Sequence, residues 1–211
     1  MSPIQITPRP LFIMTVFLLA VGVWEIGQGS WIYAKAGLAQ YLLERAWSRT
    51  QDGETAVKPW PWADTYPIAR LKAPSLNIDL IALNGAYGRT LAFGPGYSES
   101  SALPGSSGTT IFSGHRDTHF RFLRRLKRQD ELVIETAQRT SLRYLVQSAQ
   151  IVDARTSSIP VTSKTDQLIL VTCYPFDTIV PGGPLRYVVT AARAAAPHPT
   201  DNASGSRSSG R

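Results

Sequence analysis

From Ile68 onward the apolar residues come in short runs. They read IARLKA, LNIDLIALNG, TTIFSG, ELVIET, LRYLVQSAQIVDA, QLILVTC and LRYVVTAA. Turn signals separate them at Pro74, Gly85, Gly94-Pro95-Gly96, Pro104-Gly105 and Gly182-Gly183. Short β-rich runs of this kind predict seven or eight strands. No βαβ alternation and no internal repeat is present. The pattern is that of a mainly β domain over residues 67–193, either a closed β-barrel with short connecting helices or a β-sandwich.

The upstream pattern differs. Residues 1–10 are short and polar, with Arg9 the only charged side chain. Leu11 to Trp24 is apolar and uncharged; Glu25 interrupts, and IGQGSWIYA continues. A helix needs about 20 residues to span a bilayer. A span over residues 11–33 therefore uses Ile26 to Tyr33 or holds Glu25 at the interface. Trp24, Trp31 and Tyr33 suit an interfacial level. This predicts an N-terminal membrane anchor in contact with lipid. Two other readings remain open: a buried soluble helix, and a cleaved signal peptide. For the latter, Ala34-Lys35-Ala36 is a small-x-small site, but it lies far beyond the apolar run. Arg9 and the terminal amine place the N-terminus in the cytoplasm. The bulk of the chain then lies on the periplasmic, extracytoplasmic side of a single-pass inner-membrane protein.

Residues 34–66 read as a juxtamembrane helix followed by a linker. Ile32, Ala36, Ala39, Leu43 and Ala46 recur at helical spacing. The linker, TQDGETAVKPWPWADTYP, is rich in proline and lays Trp60 and Trp62 on the domain as packing residues. Residues 194–211 are too poor in apolar side chains to order themselves.

Composition narrows the partners. Hydrophobic residues are 43% and charged residues 18%, enough for a core, and the formal net charge is +7. The basic residues are dispersed except in FRFLRRLKR, Phe120 to Arg128. There Phe120, Leu123 and Leu126 share a helical face, leaving a solvated basic face or one that meets anionic lipid headgroups. No basic stripe interleaved with aromatics appears, so nucleic acid is not an expected partner. A single cysteine excludes an intrachain disulfide and a CxxC thiolate metal site.

That cysteine, Cys173, ends the run QLILVT. His115 follows TTIFSG, another strand end. Arg186 opens the strand after TIVPGGP. If the strands bearing Cys173 and Arg186 are antiparallel neighbours, thiol and guanidinium share one rim. A thiolate is a nucleophile, and a cationic neighbour favours it. A histidine can hold the thiol proton and pass it to a leaving amine. An arginine can donate to the oxyanion of a tetrahedral intermediate, and the backbone N–H of Tyr174 is a candidate second donor. The set lacks the Asp or Asn that orients the base in other cysteine hydrolases. The bland reading keeps Cys173 as a core residue and Arg186 as a structural ion-pair partner in a non-catalytic, envelope-binding barrel. His119 stands at i+4 from His115, a spacing for two metal ligands on a helix. Ser113-Gly114 instead puts His115 at a strand end, with Asp117 or Thr118 capping a later helix. Without a third ligand, no metal is expected. His198 lies between prolines and is assigned nothing.

These segments resemble the sortases. LVTC, Leu170 to Cys173, is similar to the sortase TLxTC motif, with Ile169 in place of its leading Thr. SGHRDTHF, Ser113 to Phe120, resembles the histidine segment, and LRYVV, Leu185 to Val189, the arginine segment. The order His, Cys, Arg is the family's order, and the resemblance covers about Tyr66 to Arg193. HRDTHFRFL and the leading helix are similar to the subgroup of Gram-negative bacteria. The resemblance implies an eight-stranded sortase-like β-barrel behind a membrane anchor. It implies a cysteine transpeptidase, a thiol peptidase by chemistry, without cofactor or metal. Cys173 would attack an LPxTG-like C-terminal sorting signal to form a thioacyl enzyme, and an amine acceptor would resolve it. His115 would be acid and base, and Arg186 would meet the oxyanion or position the peptide. Thr172 and Tyr174 would contact the peptide, between walls at Tyr174–Leu185 and Asp153–Gln167. KPWPWADTYP has no Asp-Pro-aromatic triplet, so no lid of that kind is expected. Resolution by water in place of an amine would make the enzyme a peptidase only.

Overall fold

The computed structural model describes residues 8–157, 166–178 and 182–195. The expected tail, residues 194–211, lies outside them beyond residue 195, as do the middle of the 153–167 loop and part of the 174–185 loop.

One helix, α1, runs unbroken from Pro8 to Gln51. The expected anchor and juxtamembrane helix are thus a single element. Glu25, Gly27 and Gly29 interrupt its apolarity but not its hydrogen bonding. Residues 10–42 of this helix are mostly exposed, and its apolar N-terminal part is long and hydrophobic enough to cross a membrane. The last turns are different. Leu43 and Trp47 are buried against Ile81 and Leu83, with Trp60 and Phe93 packed alongside. Gln40 donates to the Phe93 carbonyl at 3.1 Å, and Gln51 to Glu135 at 2.8 Å.

The strands close as expected into a barrel, and the sandwich is excluded. They are β1 Pro67–Ala73, β2 Ile78–Asn84, β3 Gly96–Tyr97, β4 Thr109–Ser113, β5 Glu131–Thr136, β6 Ser141–Asp153, β7 Gln167–Cys173 and β8 Leu185–Arg193. The order around the barrel is β1-β2-β3-β4-β7-β8-β6-β5. Two pairs are parallel, β2 with β3 and β4 with β7; the rest are antiparallel. Alternation fills the interior: β1 reads buried at every second residue, with Ala69, Leu71 and Ala73 inward. Leu132, Ile134, Leu168, Leu170 and Val189 join them.

β3 was hidden in the turn signal Gly94-Pro95-Gly96. A Cβ on Gly96 would sit 2.4 Å from the Gly85 carbonyl oxygen, so only glycine lets the two backbones meet there. Between β2 and β3 lies a one-turn helix, α2, Gly88–Leu91. The basic run contributes a short 3₁₀ turn, Arg121–Arg125, and Phe120, Phe122, Leu123 and Leu126 are all buried. Its N-cap is Phe120, without a side-chain cap, so neither Asp117 nor Thr118 caps it as expected. Trp60 packs edge-on to Phe93 with ring centroids 4.9 Å apart. Trp62, expected to pack, is 80% exposed.

Candidate active site

Two strand exits build the site. β4 and β7 run parallel, with Ser113 opposite Val171. Both chains therefore leave the barrel at the same end, side by side. The Gly114 N–H donates to the Val171 carbonyl at 3.1 Å, extending the ladder one step. The Thr172 hydroxyl donates to the Gly114 carbonyl at 2.7 Å. His115 and Cys173 are the next residues along these two tied segments. His115 is exposed and Cys173 partly exposed.

β7 and β8 supply the third group. They are antiparallel neighbours, and Cys173 pairs in register with Arg186. Directly opposed residues place their side chains on one face of a sheet. On that outer face, Val171 pairs with Val188 and Ile169 lies two residues further in. Ile111, Ile169 and Val188 form a separate apolar cluster with Val152 and Val171, distinct from the barrel core. An apolar floor thus leads along β4, β7 and β8 to the thiol and guanidinium. The Arg186 Nη1 donates to the Gly183 and Leu185 carbonyls at 2.8 and 2.9 Å, which fixes the guanidinium on its own loop.

The two residues expected to contact the peptide, Thr172 and Tyr174, also have partners within the protein. Thr172 has the inward parity of Leu168 and Leu170, is 2% exposed, and spends its hydroxyl on Gly114. Through that bond it ties the histidine segment to the end of β7. The Tyr174 N–H donates to the Leu185 carbonyl at 3.1 Å and already has its acceptor. This is the N–H expected to be a second oxyanion donor. The Tyr174 ring stacks on Tyr187 at 6.3 Å, with Phe176 edge-on to both.

Sequence reasoning missed Arg116. Its side chain is 7% exposed, although it follows the exposed His115. Nη1 donates to the Pro175 carbonyl at 2.6 Å and Nη2 to that of Thr178 at 3.1 Å. Nε and Nη2 donate to the two Asp117 carboxylate oxygens at 2.8 and 2.9 Å. The guanidinium thus staples the histidine segment to the segment after Cys173. The hydrogen bonds it donates to Asp117 are the main reason its already high pKa is raised further. Arg124 pairs with Asp177 at 3.1 Å across the same gap. The signal was available in SGHRDTHF, where an Arg-Asp pair follows the histidine. Nothing local says that such an arginine turns inward.

Asp117 is occupied by Arg116, whose hydrogen bond holds its carboxyl below the usual carboxylate range; Arg121 and His115 contribute charge. His119 is half-buried. Burial pushes its imidazole below the ordinary 6.5, and His115 repels the same proton, while a hydrogen bond to the Leu91 backbone works the other way. Among the described residues no three His, Cys, Asp or Glu side chains are grouped to hold a metal ion.

Gly114 is required by close approach. A Cβ there would meet the Phe120 ring at 2.7 Å. The His115 carbonyl accepts from the Phe120 N–H at 3.0 Å, so the loop folds back over its own glycine.

The Sortase domain family matches residues 71–194, more than half of the chain. The chain belongs to the sortase family. It is 34% identical over 124 residues to Sortase D of Bacillus subtilis (strain 168), a stretch covering 58% of this chain and 62% of that protein. The chain therefore spans about three fifths of that curated relative. Among solved structures, Sortase A from Corynebacterium diphtheriae is 27% identical, with a TM-score of 0.57 over 66% of each chain. A Clostridium perfringens Sortase D5 transpeptidase superposes with a TM-score of 0.61 over 75% of this chain and 99% of its own, at 19% identity. That last likeness shows the fold alone. Sortase membership and the eight-stranded barrel agree with what LVTC, SGHRDTHF and LRYVV imply.

Proposed function

We propose that this sortase is a membrane-anchored cysteine transpeptidase acting on an LPxTG-like C-terminal sorting signal. The observation that carries the reading is the register pairing of Cys173 with Arg186, with His115 delivered alongside by the parallel β4–β7 pair. Cys173 is partly exposed, against a purely structural core cysteine.

In this reading the Cys173 sulfur attacks the carbonyl carbon of the threonine, at the Thr–Gly bond of the signal. His115 takes the thiol proton. Negative charge moves to the carbonyl oxygen, where the Arg186 guanidinium stabilises it; such donors are worth about 10²–10³ in rate. The carbon–nitrogen bond breaks, and His115 gives its proton to the leaving amine. A thioester remains on Cys173. An acceptor amine then attacks it, loses its proton to His115, and the thiol is released. The apolar floor of Ile169, Val171 and Val188 takes the aliphatic residues of the signal. Arg116 and Asp117 keep the two catalytic loops in register without touching the reacting atoms.

The apolar length of α1 supports a single-pass anchor in the inner membrane, and Arg9 supports a cytoplasmic N-terminus. HRDTHFRFL supports a place in the Gram-negative subgroup. The test is turnover of an LPxTG-like peptide with and without an added amine. Cys173→Ala should abolish both cleavage and transfer and leave the fold intact. Activity surviving in that variant sinks the mechanism. Cleavage without any transfer product assigns the protein to hydrolysis instead.

A further inference from the structure

A recess of about 340 Å³ opens beside the histidine segment. It lies at the barrel end from which His115 and Cys173 emerge. β2 starts at that same end, because it runs parallel to β3 and β3 runs antiparallel to β4. Ile78, the first residue of β2, gives the recess an apolar base, and Thr118 and His119 form one wall. The 3₁₀ turn forms the other. Phe122, Leu123 and Leu126 sink into the barrel core, which leaves Arg121, Arg124 and Arg125 exposed along the recess.

These charges are not balanced within the protein. Arg124 meets Asp177 at 3.1 Å. Asp117 is close enough to feel Arg121, but Arg116 holds both of its carboxylate oxygens. Arg121 and Arg125 have no ion-pair partner among the described residues. His119 adds shape rather than charge. Its Nδ1 meets the Thr118 hydroxyl at 3.3 Å, its ring bonds the Leu91 backbone, and burial disfavours its cation. Two free guanidiniums beside an apolar base suit a carboxylate, whose geometry matches the planar fork of arginine.

The reaction indicates whose carboxylate it is. In the transpeptidase reading, on which this inference rests, His115 takes the proton of the acceptor amine. The body of the acceptor therefore approaches over the histidine segment, while Arg186 faces the acyl oxygen. The Phe120 N–H bonds the His115 carbonyl at 3.0 Å, so the wall of the recess begins within one turn of His115. The leaving part of the signal passes the same way, but it starts with glycine and brings no side chain.

We propose that Arg121 and Arg125 select an acidic acceptor, a peptide amine that carries a carboxylate close to its nucleophilic nitrogen. The nitrogen attacks the thioester carbon and gives its proton to His115. The carbon–sulfur bond breaks, and the Cys173 sulfur takes that proton back. The carboxylate stays in the recess throughout and takes no part in bond making.

The test uses the full chain in detergent with an LPxTG-like peptide and two amines in competition. Gly-Glu carries two carboxylates, and Gly-Gln amide carries none. Both draw on one acyl enzyme, so changes in acylation cancel in the product ratio read by mass spectrometry. The expected result is a several-fold excess of the Gly-Glu product that shrinks with added salt. It should fall to parity when Arg121→Gln and Arg125→Gln are combined. Arg121→Glu with Arg125→Glu should turn the preference towards Gly-Lys amide. Lys127→Gln with Arg128→Gln controls for overall charge and should keep the excess, since both residues are exposed on the same run without lining the recess. Transfer to both amines at parity in the unaltered chain overturns the inference and leaves the transpeptidase reading standing. A preference that survives both arginine pairs of substitutions also overturns it. Isothermal titration of the Cys173→Ala chain reads binding without turnover. Gly-Glu bound there, in a protein that transfers to neither amine, removes the transpeptidase reading and the acceptor role with it. Inorganic phosphate bound as tightly as Gly-Glu makes the recess a general anion site and overturns the acceptor assignment.

Discussion

Thr172 carries a hydroxyl where the strand interior otherwise holds leucine. The reason is the Gly114 carbonyl, which lies past the end of β4 and accepts the Thr172 hydroxyl. Thr172→Val keeps the shape and removes the donor, leaving a carbonyl short of a partner. The expected cost is about 1–3 kcal/mol, read as a lower urea midpoint, with slower acylation because His115 loses its tether. Arg116→Met should leave the barrel folded and slow acylation about a hundredfold, the scale of an ångström misplacement. Arg116→Lys should recover only part of the rate, since an ammonium cannot make the same fork to two carbonyls and a carboxylate. An unchanged kcat in both variants contradicts the positioning role. His119 sets a pH dependence. Its folded-state pKa is depressed, so the unfolded chain binds that proton more readily. Stability is complete above the ordinary 6.5 and falls as pH drops through it towards the depressed value. Urea midpoints at about pH 8 and about pH 5 should differ, and His119→Gln should shrink the difference.

At the scale of elements, α1 is two devices in one helix. Its N-terminal part offers apolar side chains to solvent or lipid, and its last turns bury Leu43 and Trp47 against β2. Trp47→Ala should cost about 3–5 kcal/mol, as large aromatic truncations in a core do. A chain beginning at Gln51 lacks both residues and exposes Ile81 and Leu83, so it should be markedly less stable than one beginning at Ala34. Equal thermal stability of the two chains would mean that the helix is only tethered. The helical spacing of Ile32, Ala36, Ala39, Leu43 and Ala46 revealed the helix, but only Leu43 and Ala46 of that set are buried. The continuity with the apolar N-terminal part was not legible, because Glu25, Gly27 and Gly29 break the hydrophobic pattern without breaking the helix. β3 was hidden for a related reason: two residues have no period, and the Gly-Pro-Gly signal reads as a turn.

Across the whole molecule, chemistry depends on which strands become neighbours. Alternation in β1 and the run in β7 revealed strands and a closed core. The Cys173–Arg186 pairing followed from a direct connection between consecutive strands. The parallel β4–β7 pairing, which delivers His115, joins strands separated by β5 and β6, and no local pattern encodes it; only the resemblance of SGHRDTHF and LVTC implied it. Arg116 shows the same limit, since its partners, the Pro175 and Thr178 carbonyls, lie about sixty residues away. The central claim is that this barrel end makes Cys173 a nucleophile served by His115 and Arg186. The most direct measurement is mass spectrometry of the protein from Ala34 onward after incubation with an electrophilic LPxTG-like peptide analogue, beside His115→Ala and Arg186→Ala. The account predicts one adduct, on Cys173, forming much more slowly in both variants. A Cys173 adduct that forms at the same rate in all three would contradict it.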